Sequence, residues 1–381
     1  KKTIFKVENK TNNNFNISVF NKYLITFIGL LFICLFYLLV PLLYNKTWVQ
    51  SNIESKLLNE FKINLSTSAD ISYRILPAPH FLIKDSKILV ANGEQKQSIA
   101  DIKYLKIFLN QSNFFNKKKM KIKKIIISDA NFSFLTSDFE LLNTFKNSKF
   151  SNKKIKINNS NIFFKNNLEE TISIIKVDKI ILFSDNEKLS NFLNLKGEIF
   201  NIPFTFDFNN HNDAKKYEEI NFNSKLLKLN ISNKSTTEKK LIFGKNDILF
   251  LRSKINTKYN VKEKLITFKS DNSRLINSKV GYTGELSINP FDLNLNIHLN
   301  NYKISKLFNI NPILIEFFKS GLPFNDNISL HTSIIVNSNV KNEIFHNAKI
   351  NFHIINGAIH FNKTKFINNN IGSLQLINSN L

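Results

Sequence analysis

Seven histidines and one cysteine are the side chains in this chain best suited to ligate a metal or to act as nucleophile or general base. Their spacing argues against each role. His353 and His360 face each other if the segments around Asn356-Gly357 form a two-residue hairpin. Two imidazoles fall short of the three or four ligands that zinc takes, and no Asp, Glu or Cys lies close by in sequence to complete the set. His80, His211, His298, His331 and His346 stand alone and are expected in turns or on the surface. No G-x-S-x-G elbow, P-loop or G-x-G-x-x-G turn occurs. No catalytic residue, cofactor or metal is therefore expected, and the chain reads as non-enzymatic.

The elements that would position such residues are mostly strands. From about Leu65 onward apolar and polar residues alternate with a period of two, in short runs broken by Asn, Asp, Ser and Gly. Phe204, Phe206 and Phe208 alternate with Thr205 and Asp207, and Leu293, Leu295, Ile297 and Leu299 with Asn294, Asn296 and His298. Leu227, Leu229 and Ile231, the pair Phe132 and Phe134, and the pair Ile155 and Ile157 repeat the pattern. The Asn356-Gly357 turn pairs Ile354 with Ile359 and Phe352 with Phe361 on one apolar face. Three stretches beginning at Gly197, Gly284 and Gly357 read as strand starts after tight turns.

Helices are few. Trp48, Val49, Ile53, Leu57, Leu58 and Phe61 predict an amphipathic helix over 45–64. Ser137 and Glu140 make a capping box ahead of Leu141, Leu142 and Phe145, and NPILIEFFKSG at 311–321 carries helix start and stop residues. Both are expected to cover a sheet. The loop NNHNDAKK, 209–216, is the most plausible point of subdivision.

This alternation fits two architectures: a sandwich or barrel filled by its own side chains, and a long antiparallel sheet curled lengthwise into a groove that is lined but not filled. In the second, the lining would comprise Phe132, Phe134, Phe204, Phe206, Phe208, Leu293, Leu295, Ile297, Leu299, Phe352, Ile354, Ile359 and Phe361. Such a groove would hold acyl chains while head groups stay in water.

Tyr23–Tyr44 carries no charged side chain and lies between Lys22 and Lys46. At ~1.5 Å per residue it is long enough to cross a hydrocarbon core of about 30 Å, and longer than the roughly 7–15 apolar residues of a secretory signal. It predicts an uncleaved transmembrane helix. Lys1, Lys2, Lys6, Lys10 and Lys22 precede it, against Lys46, Lys56 and Lys62 after it, which predicts a cytoplasmic tail over 1–22 and a body over 65–381 on the far side. In a Gram-negative bacterium that side is the periplasm. The lone Cys34 falls inside the span, so the body has no disulfide framework.

The net charge of +24 would ordinarily suggest a nucleic-acid partner. Here the lysines are spread among Asn, Ile and Phe, a bias that AT-rich codons also produce, and arginine occurs only at Arg74, Arg252 and Arg274. Base recognition leans on Arg and on clustered charge, so no nucleic acid is expected; attraction to anionic lipid head groups is compatible with the same lysines.

The stretch Arg74-Ile75-Leu76-Pro77-Ala78-Pro79-His80-Phe81-Leu82-Ile83-Lys84-Asp85 resembles the LPxPxLxLKD signature that follows the anchor in AsmA-like proteins. Ile122-Lys123-Lys124-Ile125-Ile126-Ile127-Ser128-Asp129-Ala130-Asn131-Phe132 resembles that family's next strand, with Ala130 where proline is usual, and Gly281 through Phe308 resembles its C-terminal portion. The resemblance implies an inner-membrane protein with a β-rich periplasmic body, related to the bridge-like lipid-transfer proteins with chorein-type N-termini. It implies phospholipid as partner and a role in outer-membrane lipid homeostasis; the alternative is a scaffold or assembly factor for outer-membrane proteins. An expected ~20–25 strands at about 4.8 Å each would extend roughly 100–120 Å, which implies an outer-membrane or periplasmic protein partner to complete any bridge.

Overall fold

The computed structural model describes the chain from Val19 to Asn380, apart from residues 62, 67–69, 93–94, 113, 136–137, 139–147, 167, 188, 213–215, 240, 276–277, 289, 308–327, 339–342 and 378. The expected tail over 1–22 lies mostly outside these residues. Helix α1 (Val19–Leu39) continues as a 3-10 turn through Leu43, and together they are long and apolar enough to cross a membrane. None of the α1 side chains is buried.

Helix α2 (Lys46–Phe61) starts where the Asn45 side chain accepts a hydrogen bond from the Trp48 N–H, at 3.2 Å. Val49, Ile53, Leu57 and Phe61 recur at spacings of four, and all four are buried. Leu58 lies off this stripe and is exposed.

Among the described residues, twenty-one strands follow in one sheet. They are β1 (Asn64–Ser66), β2 (Ile71–Arg74), β3 (His80–Asn92), β4 (Gln95–Leu109), β5 (Ile122–Leu135), β6 (Lys154–Lys165) and β7 (Thr171–Asp185). Next come β8 (Ser190–Ile199), β9 (Ile202–Asn212), β10 (Lys216–Ser224), β11 (Leu229–Glu238), β12 (Leu241–Phe250), β13 (Ser253–Lys262) and β14 (Leu265–Leu275). The last are β15 (Ser278–Ile288), β16 (Phe291–Asn300), β17 (Ile328–Asn337), β18 (Asn347–Ile355), β19 (Ala358–His360), β20 (Lys365–Asn368) and β21 (Gly372–Gln375).

From β3 to β18 each strand pairs with the next, so the sheet grows along the chain. The pairings are antiparallel except β5 with β6 and β16 with β17, which are parallel. A parallel pair needs a crossover of a dozen or more residues. The helices expected from Ser137 and over 311–321 fall in those two connections, on residues largely outside the described ones. β1 and β2 both pair with β3, and β19 and β20 both pair with β18. β9 and β10 pair with each other across the 209–216 stretch.

The pairing is interrupted at one level across the first part of the sheet. Asp85, Asp129 and Asn159 adopt left-handed φ values of 53°, 54° and 46°, at positions that the ladders from β3 to β7 skip, with the register unchanged on either side. Asp and Asn tolerate this conformation better than most other residues with a Cβ. The Asn159 amide donates to the Asp129 carboxylate, tying two of these positions together.

The Asn356-Gly357 hairpin forms as expected, with φ of 51° and 70°, Ile354 opposite Ile359, and Phe352 stacked on Phe361 at 6.2 Å. Two other expectations are corrected. Leu227 belongs to the turn before β11, and Gly197 and Gly284 lie within β8 and β15 rather than at strand starts. Gly284 is there because the Phe268 ring on β14 occupies the place of its missing Cβ.

Candidate functional site

Side chains directly opposite in neighbouring strands share one face of a sheet, so the registers decide which apolar residues meet. They build one row. Ile71, Ile83, Leu105, Ile127, Ile157, Ile180, Leu195 and Phe206 are successive partners from β2 to β9. Phe222, Ile231, Ile248 and Ile255 carry the row to β13. Past a bulge in β14, Ser273 leads to Val280, Leu299, Val336, Ala348, Phe366 and Leu374. Ser273 is the single polar member, and its hydroxyl accepts from the Asn256 N–H at 2.9 Å. At about 4.8 Å per strand the row runs ~85 Å along the sheet.

Coverage divides the row into three parts. From β2 to β8 it is buried, and the stripe of α2 packs into the same core. From β9 to β13, Phe206, Phe222, Ile231, Ile248 and Ile255 are half-buried. From β15 to β20 it is buried again, in a second cluster that includes Ile304, with Tyr302 and Phe345 packed against it. Leu374 at the far end is exposed.

All thirteen residues expected to line a groove lie on this face. Phe132, Phe204, Phe208, Leu299, Ile354 and Ile359 are buried among neighbours. Phe134, Phe206, Leu293, Leu295, Ile297, Phe352 and Phe361 keep partial exposure. Sequence reasoning missed Phe222, Ile248 and Ile255, whose strands carry mixed alternation; only register joins them to the row.

The face is not uniformly greasy. Beside the half-buried segment, Asn233, Asn246 and Thr257 are register partners. The Asn233 amide donates to the Tyr259 hydroxyl at 2.9 Å, Thr257 and Tyr282 hydroxyls lie 2.5 Å apart, and the Asn246 carbonyl oxygen is buried without a hydrogen-bond partner. Tyr259 sits opposite Gly244, and its ring fills the place a Cβ would take there. With Phe268 over Gly284, two rings thus reach across onto the neighbouring strand.

The other face is more polar, though it carries the stacked rings of Phe183 and Phe192, 5.3 Å apart. Its ion pairs, such as Lys234–Glu219 at 3.2 Å and Lys245–Asp247 at 2.8 Å, are partly exposed and contribute little stability. A cleft of about 680 Å³ lies there, among Lys258, Lys269, Glu285, Asn294 and Asn296. His331, His353 and His360 are also register partners on this side, so His331 is not isolated; its Nδ1 lies 3.0 Å from Nδ1 of His353. Burial, then the neighbouring His331 and His360, holds the His353 pKa below the usual imidazole value. His80 is likewise buried rather than at the surface, stacked on Phe108 at 4.9 Å, and burial lowers its pKa. Among the described residues no group of three or more His, Cys, Asp or Glu is placed to hold a metal ion.

Neither protein-family models nor curated proteins give a match to this chain.

Proposed function

We propose that this chain is a single-pass inner-membrane protein of the AsmA-like type. Its periplasmic body would pass phospholipid along the apolar row and so support outer-membrane lipid homeostasis, without catalytic chemistry of its own. The observation that carries the reading is the register: apolar side chains from successive strands fall into one line, half-buried over β9–β13. Burying an acyl chain is favourable by about 0.8 kcal/mol per CH₂, so a line of similar side chains keeps the free energy nearly level from one strand to the next. The rings laid over Gly244 and Gly284 support it further, because a ring laid on the neighbouring strand leaves room in front of the sheet. Native mass spectrometry of the detergent-extracted full chain tests the reading. Bound phospholipid is expected, and its absence, with the body folded, counts against transport.

The burial of the row at both ends favours a second reading, a packed scaffold that acts on outer-membrane protein assembly through its polar face and the cleft beside Lys258 and Lys269. Co-purification of a periplasmic or outer-membrane protein from lipid-free preparations would favour it.

A further inference from the structure

The exposure of α1 changes at one residue. Val19 through Phe36 are all exposed, and Tyr37 is the first side chain that the body covers. The exposed part is roughly 27 Å long at ~1.5 Å per residue, close to the thickness of a hydrocarbon core. The bilayer surface would therefore fall near Tyr37.

Tyr37 is fastened to the turn between β4 and β5. Its ring stacks on Phe114 at 5.4 Å and meets Phe115 at 5.2 Å, and its hydroxyl donates to the Gln111 carbonyl at 2.6 Å. The Phe114 N–H donates back to that hydroxyl at 3.1 Å, and the Tyr44 hydroxyl donates to the Phe114 carbonyl. The Tyr73 hydroxyl donates to the Leu38 carbonyl at 2.6 Å. Helix and sheet end are thus joined at several points, which fixes the height of this turn against the span.

Phe114 is buried, but Phe115 beside it is 72% exposed. Leu76, in the β2–β3 connection at the same end of the strands, is 81% exposed. Lys117, Lys118 and Lys119 follow Phe115 in a short 3-10 turn and are exposed, with the Lys117 ammonium 5.6 Å from the centre of the Trp48 ring. Neither 74–82 nor 108–127 contains an Asp or Glu. Aromatic and aliphatic tips beside an uncompensated basic cluster, continuous with an apolar helix, match the chemistry of the headgroup layer.

We infer that this end of the sheet docks on the bilayer that α1 spans, with Phe115 and Leu76 inserted at the acyl boundary and Lys117–Lys119 on anionic head groups. The inference rests on reading α1 as a membrane span.

The test uses the full chain with Cys34→Ser, reconstituted in discs of phosphatidylcholine alone or in equal parts with phosphatidylglycerol. Single cysteines, Phe115→Cys, Ile33→Cys or Leu251→Cys, carry an environment-sensitive fluorophore. Leu251 is exposed in the β12–β13 turn, at the opposite strand end. The Phe115 probe is expected to follow the Ile33 probe: severalfold more quenching by nitroxide lipids than by aqueous iodide, with blue-shifted emission. Joint replacement K117E, K118E and K119E is expected to reduce that lipid quenching in the anionic discs while leaving the Leu251 probe unchanged. A Phe115 probe that behaves like the Leu251 probe, while the Ile33 probe is quenched by lipid, overturns the docking and leaves the span standing. An Ile33 probe open to iodide overturns the span and the docking together. Equal effects of the lysine replacement in both disc types overturn the anionic preference.

Discussion

The Tyr259 ring lies over Gly244 on the neighbouring strand, in the position that a Cβ of residue 244 would occupy. The pair holds the ring on the apolar face while its hydroxyl exchanges hydrogen bonds with Asn233, at 2.9 and 3.1 Å. A methyl group at 244 must push the ring away. Gly244→Ala is expected to destabilise by about 1–3 kcal/mol, as overpacking does. In a Tyr259→Ala background the same change should cost less, with a coupling of about 0.5–3 kcal/mol between the two sites in chemical denaturation. Additive effects would show that the ring does not need the glycine.

Charge on the row should act differently along its length. Phe206→Asp and Ile297→Asp place a carboxylate at half-buried positions, where it can reach water, so the body should stay folded while bound phospholipid is lost. Ile83→Asp places one at a fully buried position, in the core that α2 shares, and should prevent folding, since an unpaired buried charge is costly. Circular dichroism with native mass spectrometry separates the two; unchanged bound lipid in Phe206→Asp would reject the row as a track.

Stability should fall in mild acid. His80 and His353 both have folded-state pKa values below the imidazole reference, the first cause in each case being burial. Below about pH 6.5 the unfolded chain takes up protons that the folded chain refuses, so stability is complete above that pH and declines as the pH drops through and below it. Denaturant midpoints measured across this range should decline, and more gently in the double variant His80→Asn, His353→Asn. A midpoint flat from neutral to acid pH would contradict the assignment.

Tyr73 should govern the alkaline side. Burial, with Tyr44 adding to it, raises its pKa to about 12, so it remains a donor to the Leu38 carbonyl where an unfolded tyrosine ionises near 10. Stability from this group is present below about pH 10 and is lost as the pH rises toward about 12. Tyr73→Phe should remove about 0.5–1.5 kcal/mol at neutral pH and abolish the latest-titrating phenol in an ultraviolet titration. Persistence of that late titration in the variant would assign it elsewhere.

The sequence by itself determined the apolar helix, the amphipathic helix after it and the predominance of strands, because periods of 3.6 and 2 are written in neighbouring residues. It also determined the Asn356-Gly357 hairpin, where left-handed turn residues and flanking apolar pairs fix the register locally. What only the tertiary structure decided was which strands adjoin and in what register. Phe206 and Phe222 could be read as apolar positions, but that they meet each other, and that Ile248 and Ile255 extend the same line, depends on side chains many residues apart. The sequence expected both His80 and His331 as isolated histidines; one is buried against Phe108 and the other touches His353. The physical reason is the same throughout: alternation names a face, while a slip of one residue in pairing would invert it, and only the assembled hydrogen-bond ladder selects between the two.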